Sequence, residues 1–487
     1  MPNKIAIVGA GIAGIATAIR LQQKGYQCSI FESNATPGGK FTELNKDGFR
    51  FDMGPTIFTL PELIDELFEL CGKNPRDFVT FNKLENTFKF WFDDGTSINA
   101  FADLKKFAKE LKEKTDDSPE NLTAYLEDAK RKYDLTREVF IENSLHKVSN
   151  YLRLNTFMSA LQFGKVGAFK TMDEHTRQYF KNEKTIQLFN NYITYVGSNP
   201  FIAPSTLSMI AHLALSNGAY LPNGGMYTIV KQLVSLAEDI GVNFHYNSKV
   251  NSIEVESKKV KGIVVNSEFK AFDKVISNMD IYYTYKRLLK DQKAPEKSLN
   301  QPKSSSAIVF YWGVKGTHPS IDVHNTFFSN NEKMEYEEIF ENNTVTDDPS
   351  VYICNTSKLV KTDAPEGHEN WMVLVCCPHD SGQYWDKLAE FTKKNAIRKL
   401  NKVLGIDLEE LIVSETILTP KYLDEHHSAA FGAIYGNSSN NRFSAFQRHS
   451  NFSGSIKDLY FAGGSVHPGA GVPMCLNSAK IVGKLIS

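Results

Sequence analysis

The chain has 487 residues, 41% of them hydrophobic and 23% charged, and its 55 basic residues against 56 acidic ones leave a net charge of -1. At roughly 150 residues per domain there is room for two large or about three ordinary domains, and a balanced charge gives no electrostatic case for a nucleic-acid partner. Six cysteines without a CxxC suit reduced thiols and a cytoplasmic location better than a disulfide framework, while 33 Phe and 20 Tyr supply rigid apolar surface for a large core or a lipophilic channel.

The longest apolar run, Ile5 to Ile19, opens the chain. A signal peptide is disfavoured by its weak basic head, by Gly9, Gly11 and Gly14 within it, and by the polar helical continuation Arg20, Gln22, Gln23, Lys24. No other stretch approaches the ~20 apolar residues that cross a bilayer, so a soluble or peripheral protein is expected. Lys4 to Val8 reads as a buried strand, Gly9-Ala-Gly11-Ile12-Ala13-Gly14 as a turn, and Ile15 to Lys24 as a helix. The first glycine permits the tight turn and the second lets backbone approach a pyrophosphate. The third lets the helix pack on the strand, with its positive end toward the phosphates. Glu32, after the strand Cys28 to Phe31, lies 21 residues beyond Gly11. A carboxylate there bonds ribose hydroxyls and repels a 2′-phosphate, which favours FAD or NAD over NADP.

Residues 61 to 220 carry mostly helical pattern, with alternating charge from Lys105 to Glu142 on solvated faces. A second α/β stretch follows: a helix from Tyr227 to Ile240, then strands at Asn243 to Asn247, Ser252 to Val255, Val260 to Val265 and Lys274 to Asn278. Asp291 to Ser305 reads as a crossing between domains. Ala307 to Trp312 and Trp371 to Cys376 belong to a second, mainly antiparallel sheet, and the chain closes with strand Leu459 to Ala462, a glycine-rich loop and a helix from near Pro473. The expected fold is α/β: a discontinuous Rossmann-type nucleotide domain from residues 1–65, 220–290 and 440–487, and a mixed α+β substrate domain from 66–219 and 291–439.

The string Glu32 to Lys40, with Gly38, Gly39 and Lys40, resembles the extended nucleotide signature of the amine-oxidase and phytoene-desaturase flavoproteins, in which the nucleotide is FAD. Pro222-Asn-Gly-Gly-Met226, Ser277-Asn278-Met-Asp280, Gly432-Ala-Ile-Tyr-Gly436 and Leu459 through His467 to Val472-Pro473 resemble the carotenoid desaturases of that group. The resemblance implies an amine-oxidase-like architecture and a cofactor shell of Gly9, Gly11, Ile12, Ala13, Gly14, Glu32, Gly39, Lys40, Gly54, Pro55, Thr56, Val250, Gly463, Gly464, Val472 and Pro473. Within it, Val250 is the position whose backbone contacts adenine, and Gly471-Val472-Pro473 aims a helix amino terminus at the flavin. Departures are Lys40 for a common arginine, His449 where relatives often have proline, and Met474 for a common glycine; the last two bear on pocket shape. His467, inside the glycine loop, is a candidate for the cofactor shell.

The implied reaction is FAD-dependent desaturation of a membrane-dissolved carotenoid: hydride loss to flavin N5 and proton loss from the neighbouring carbon, with oxygen or quinone as electron acceptor. Tyr195 to Pro204, His212 and Gly218 to Pro222 resemble the 3,4-desaturases of 1-hydroxylated carotenoids. Phytoene desaturation, flavin-dependent isomerisation and a non-redox prenyl-lipid escort are the alternatives. A polyene can delocalise a developing cation, so no strong base is required, and no acid–base pair, nucleophile triad or metal-ligand set is assigned. The acid-free segment Asn143 to Met172 interleaves cations with Phe157, Leu161, Phe163 and Phe169. That composition suits contact with an anionic membrane surface, placing the enzyme peripherally on the inner face.

Overall fold

The computed structural model describes residues 3–147, 167 and 169–486. A five-stranded parallel sheet has the order Leu459–Phe461, Lys274–Ser277, Lys4–Val8, Gln27–Phe31, Asn243–His245, so it draws on both ends and the middle of the chain. The two-residue period of a strand decides what covers each face. Ile5 and Ile7 turn toward helices Ile12–Gln22, Thr228–Asp239 and Val472–Leu485, whereas Ala6 and Val8 pack on an antiparallel meander, Val250–Glu256, Lys259–Val265 and Glu268–Ala271.

A seven-stranded sheet follows the order Ile412–Leu418, Ser306–Lys315, His368–Cys377, Val351–Asn355, His324–Phe327, Asn86–Trp91, Ser97–Phe101. All its neighbours are antiparallel except the parallel pair His324–Phe327 and Asn86–Trp91. Its outer face, with Ile308, Phe310, Trp312, Trp371, Val373 and Ile353, packs on the helix Trp385–Leu404 through Trp385, Ala389, Ala396, Ile397 and Leu400. Helices Leu104–Thr115, Pro119–Thr136 and Glu183–Asn190 form a third cluster beside the sheet's far edge.

Two sequence expectations change. Residues 61 to 220 contain strands as well as helices: along Asn86–Trp91, Phe88 and Phe90 pack in one core while Trp91 turns to another. The Ala307 strand runs from Ser306 through Lys315, with both faces buried, so its apolar run exceeds any alternation. Among the described residues no helix is long and apolar enough to cross a membrane.

Candidate active site

One cavity of about 930 Å³ runs from the glycine turn of the parallel sheet to the inner face of the seven-stranded sheet. At the first end Gly9, Gly11, Ile12, Ala13, Glu32, Gly39, Lys40, Gly54, Pro55, Thr56, Val250, Gly463, Gly464, Val472 and Pro473 line its wall, brought together from four separate stretches of chain. Gly14 does not reach the wall. A Cβ there would lie 2.4 Å from the Gly9 carbonyl oxygen, so its missing side chain lets the first helix close on the turn. At Gly11 a Cβ would meet Asn278 Oδ1 at 2.5 Å.

Asn278 was quoted within a motif above but assigned no role. It is the post around which both glycine loops fold: its N–H donates to the Val8 carbonyl at 2.8 Å and its Nδ2 to the Ala462 carbonyl at 2.7 Å. Its position directly after a strand was the available signal; its reach to the carboxyl-terminal loop was not visible in sequence.

Glu32 is buried at the strand end, where its carboxylate accepts from Ala10 N–H at 2.8 Å and Asn34 N–H at 2.9 Å. It is thereby fixed beside the glycine turn, as recognition of a ribose requires. Lys40 opens onto the cavity and donates to the Ile434 carbonyl at 2.6 Å. The protein packed around it pushes its pKa below the ordinary lysine value, an effect that Asp280 opposes. Gly471, at φ +102°, delivers the chain into Val472–Leu485 with Pro473 in the first turn, which leaves unpaired N–H groups at the helix start facing the cavity. These features fit a dinucleotide carrying a flavin ring: an acid for the ribose, a side-chain-free turn for the phosphates, and a helix amino terminus for developing negative charge.

The second end is made by alternate residues of adjacent strands. Phe88, Thr326, Tyr352, Leu374, Cys376, Ala307, Val309 and Leu418 all line it, and register places them on one face of the sheet. Tyr195, Tyr336 and Tyr435 add aromatic walls. The lining is thus polar backbone at one end and mainly apolar or aromatic side chain at the other, where Glu332, Glu335 and Ser350 also reach the wall.

A model of the flavin-containing amine oxidoreductases matches residues 12–486. The chain belongs to that family. It is 46% identical over 484 residues, 99% of each chain, to a 1-hydroxycarotenoid 3,4-desaturase of a Flavobacterium species. It is 34% identical over 492 residues, 98% of this chain and 97% of the relative, to a 4,4'-diapophytoene desaturase of Staphylococcus aureus. Among solved structures, an oxidoreductase from Methanosarcina mazei superposes with a TM-score of 0.63 at 14% identity, covering 98% of this chain and 99% of that one. Putrescine oxidase bound to putrescine superposes at 0.62 and 13% identity, covering 100% and 99%. The protein is an FAD-dependent oxidoreductase with the amine-oxidase-like α/β fold.

Several histidine expectations are revised. His467 lies away from the cavity: it is buried, its ring bonds the Asn143 carbonyl at 2.8 Å, and desolvation pushes its pKa down to about 3. Neither His449 nor Met474 lines the cavity, so these two departures leave the pocket wall unchanged. His449 instead packs against Tyr285 and Phe461. His426 and His427 face the cavity, and burial holds His427 near a pKa of about 4. Among the described residues no cluster of metal ligands occurs. Phe157, Leu161 and Phe163 lie outside the described residues; Phe169 is 74% exposed beneath the Arg442 guanidinium.

Proposed function

We propose that this protein introduces a double bond into a carotenoid, and that the bond is the 3,4 bond of a 1-hydroxylated one. The observation that carries the reading is the single cavity that joins the nucleotide loops to a long aromatic wall, in a chain 46% identical to a desaturase of that kind. Bound FAD supplies an acceptor for the hydride that leaves one carbon while a proton leaves its neighbour. The chain's own contribution is placement. Phe88 and Tyr352 on the sheet face, with Tyr195 and Tyr435 beside it, offer aromatic surfaces on which a polyene can lie and whose electron-rich faces stabilise positive charge in the substrate.

The substrate dissolves in membranes, which makes peripheral docking on the inner face part of the proposal, with oxygen or a quinone reoxidising the cofactor. Phe169, Ile202 and Phe443 are exposed, and Arg442 lies over both the Phe169 and Phe443 rings, so apolar side chains and a cation share one surface. Holoenzyme given liposomes containing phytoene, lycopene or a 1-hydroxycarotenoid, with oxygen or quinone, is expected to remove two hydrogens from the hydroxylated substrate, read by absorption maximum and product mass. Turnover of phytoene alone overturns the assignment. Undiminished liposome sedimentation of a Phe169→Ser, Phe443→Ser variant would count against this docking surface.

A further inference from the structure

From the cavity wall inward runs a hydrogen-bonded chain whose polar groups the reaction outlined above leaves unused. Tyr352 Oη lies 3.0 Å from Thr56 Oγ1 and 2.8 Å from His324 Nδ1. The strand register explains the meeting: Tyr352 stands directly opposite Thr326, two residues from His324 on the same face, while Thr56 enters from the Gly54-Pro55 shelf. His324 is 1% exposed, is stacked on Phe88 at 5.3 Å, and has Nε2 buried without a partner. Desolvation holds its pKa near 4, so the ring is neutral and carries one proton.

That proton's place sets the direction of the chain. A buried N–H without an acceptor is rarer in proteins than a buried lone pair without a donor. The orphan Nε2 is therefore the lone pair, and Nδ1–H donates to Tyr352 Oη. Tyr352 in turn donates to Thr56 Oγ1. The Thr56 hydroxyl hydrogen is then left without an acceptor inside the protein, and Thr56 lines the cavity. Thr56 is half-buried at the cavity wall, so a ligand oxygen that meets it gains a hydrogen bond that a hydrocarbon cannot make.

The reacting carbons of a 1-hydroxylated substrate stand two and three bonds from the carbon bearing oxygen, so that oxygen must lie within a few ångströms of the redox centre. Thr56 belongs to the stretch assigned to the cofactor shell, at the junction between nucleotide loops and sheet wall. We propose that the Thr56–Tyr352–His324 chain reads the substrate's tertiary hydroxyl: Thr56 donates to it, and Tyr352 and His324 are positioning residues that fix the direction of that donation. This rests on the function proposed above and deepens it, because it names the group by which a hydroxylated carotenoid is chosen over the bare hydrocarbon. A hydrocarbon in the same place leaves the donor unpaired, a penalty that specificity elements of this type exploit.

The test is a competition. Liposomes carrying equal amounts of a 1-hydroxycarotenoid and its unhydroxylated counterpart are passed over immobilised holoenzyme without electron acceptor, and the retained carotenoids are extracted and quantified by mass. Wild type is expected to retain the hydroxylated one in about five- to tenfold excess, the worth of one hydrogen bond. Tyr352→Phe and His324→Phe are each expected to bring the ratio toward one. General loosening of the pocket lowers both carotenoids alike and leaves the ratio unmoved, so an unchanged ratio in both variants overturns the assignment, as does a wild-type ratio of one. Turnover is measured separately: selective binding without desaturation would sink the proposed reaction and leave the hydroxyl reader standing.

Discussion

Replacing Gly14 by alanine tests the nucleotide cradle at its tightest point. In a helix interior alanine is favoured over glycine by about 1 kcal/mol, and Gly14 has an ordinary helical backbone, so local preference alone predicts a more stable protein. The new Cβ, however, would stand 2.4 Å from the Gly9 carbonyl oxygen and 2.9 Å from Asn278 Oδ1. Ordinary contact begins near 3.4 Å, so helix and turn must separate by about 1 Å at a place where the obstacle is backbone. Overpacking of this kind costs about 1–3 kcal/mol, and an obstacle that cannot rotate away belongs at the upper end. The expected net loss is about 1–2 kcal/mol, accompanied by reduced flavin content because the displaced carbonyl is part of the turn itself. Flavin absorbance per protein and urea denaturation with and without added FAD measure both, and added FAD should recover part of the stability by mass action. Gly454→Ala, where a Cβ meets nothing within 4 Å, is the control and should stay within about 0.5 kcal/mol of wild type. If Gly14→Ala matches that control in stability and flavin content, the close-approach argument fails.

Glu32→Gln removes the charge that accepts from Ala10 and Asn34 N–H and is expected to weaken FAD retention by about 1.5–3 kcal/mol, checked by equilibrium dialysis of the flavin. Arg50 bonds Asp52 and Asp363, and both carboxylates are buried. Arg50→Met strands them and should cost about 3–5 kcal/mol in chemical denaturation, whereas an unchanged midpoint would show that the network relaxes. Burial lowers the pKa of His324 and His449 to about 4 and of His467 to about 3, against an ordinary 6.5. The unfolded chain then binds more protons than the folded one between pH 6.5 and those values, so stability falls on acidification, by about 2 kcal/mol per histidine at pH 5. Denaturation midpoints at pH 7 and pH 5 should show this loss, and His449→Phe should reduce it; equal pH sensitivity in that variant would refute the assignment.

The glycine turn, the strand before it and Glu32 were legible in sequence because local chemistry specifies them: a two-residue strand period, glycines where side chains cannot fit, and a carboxylate at the strand end. The carboxyl-terminal loop was legible through its resemblance to a family motif, to which Pro473 adds a residue suited to a first helical turn. What pairs with what was not local. Asn278 became the post between two loops only when strands 4–8, 274–277 and 459–461 lay side by side. His324 and Tyr352, 28 residues apart in sequence, share a sheet face with Phe88 because the seven-stranded register aligns them. His467 illustrates the converse, for its position inside a flavin-loop motif suggested the cofactor, yet its ring turns toward Asn143. Periodicity and turn chemistry act over a few residues and can be read from the chain. Strand register and the direction of a buried side chain are settled by packing between distant segments, and these decided how the cavity is walled.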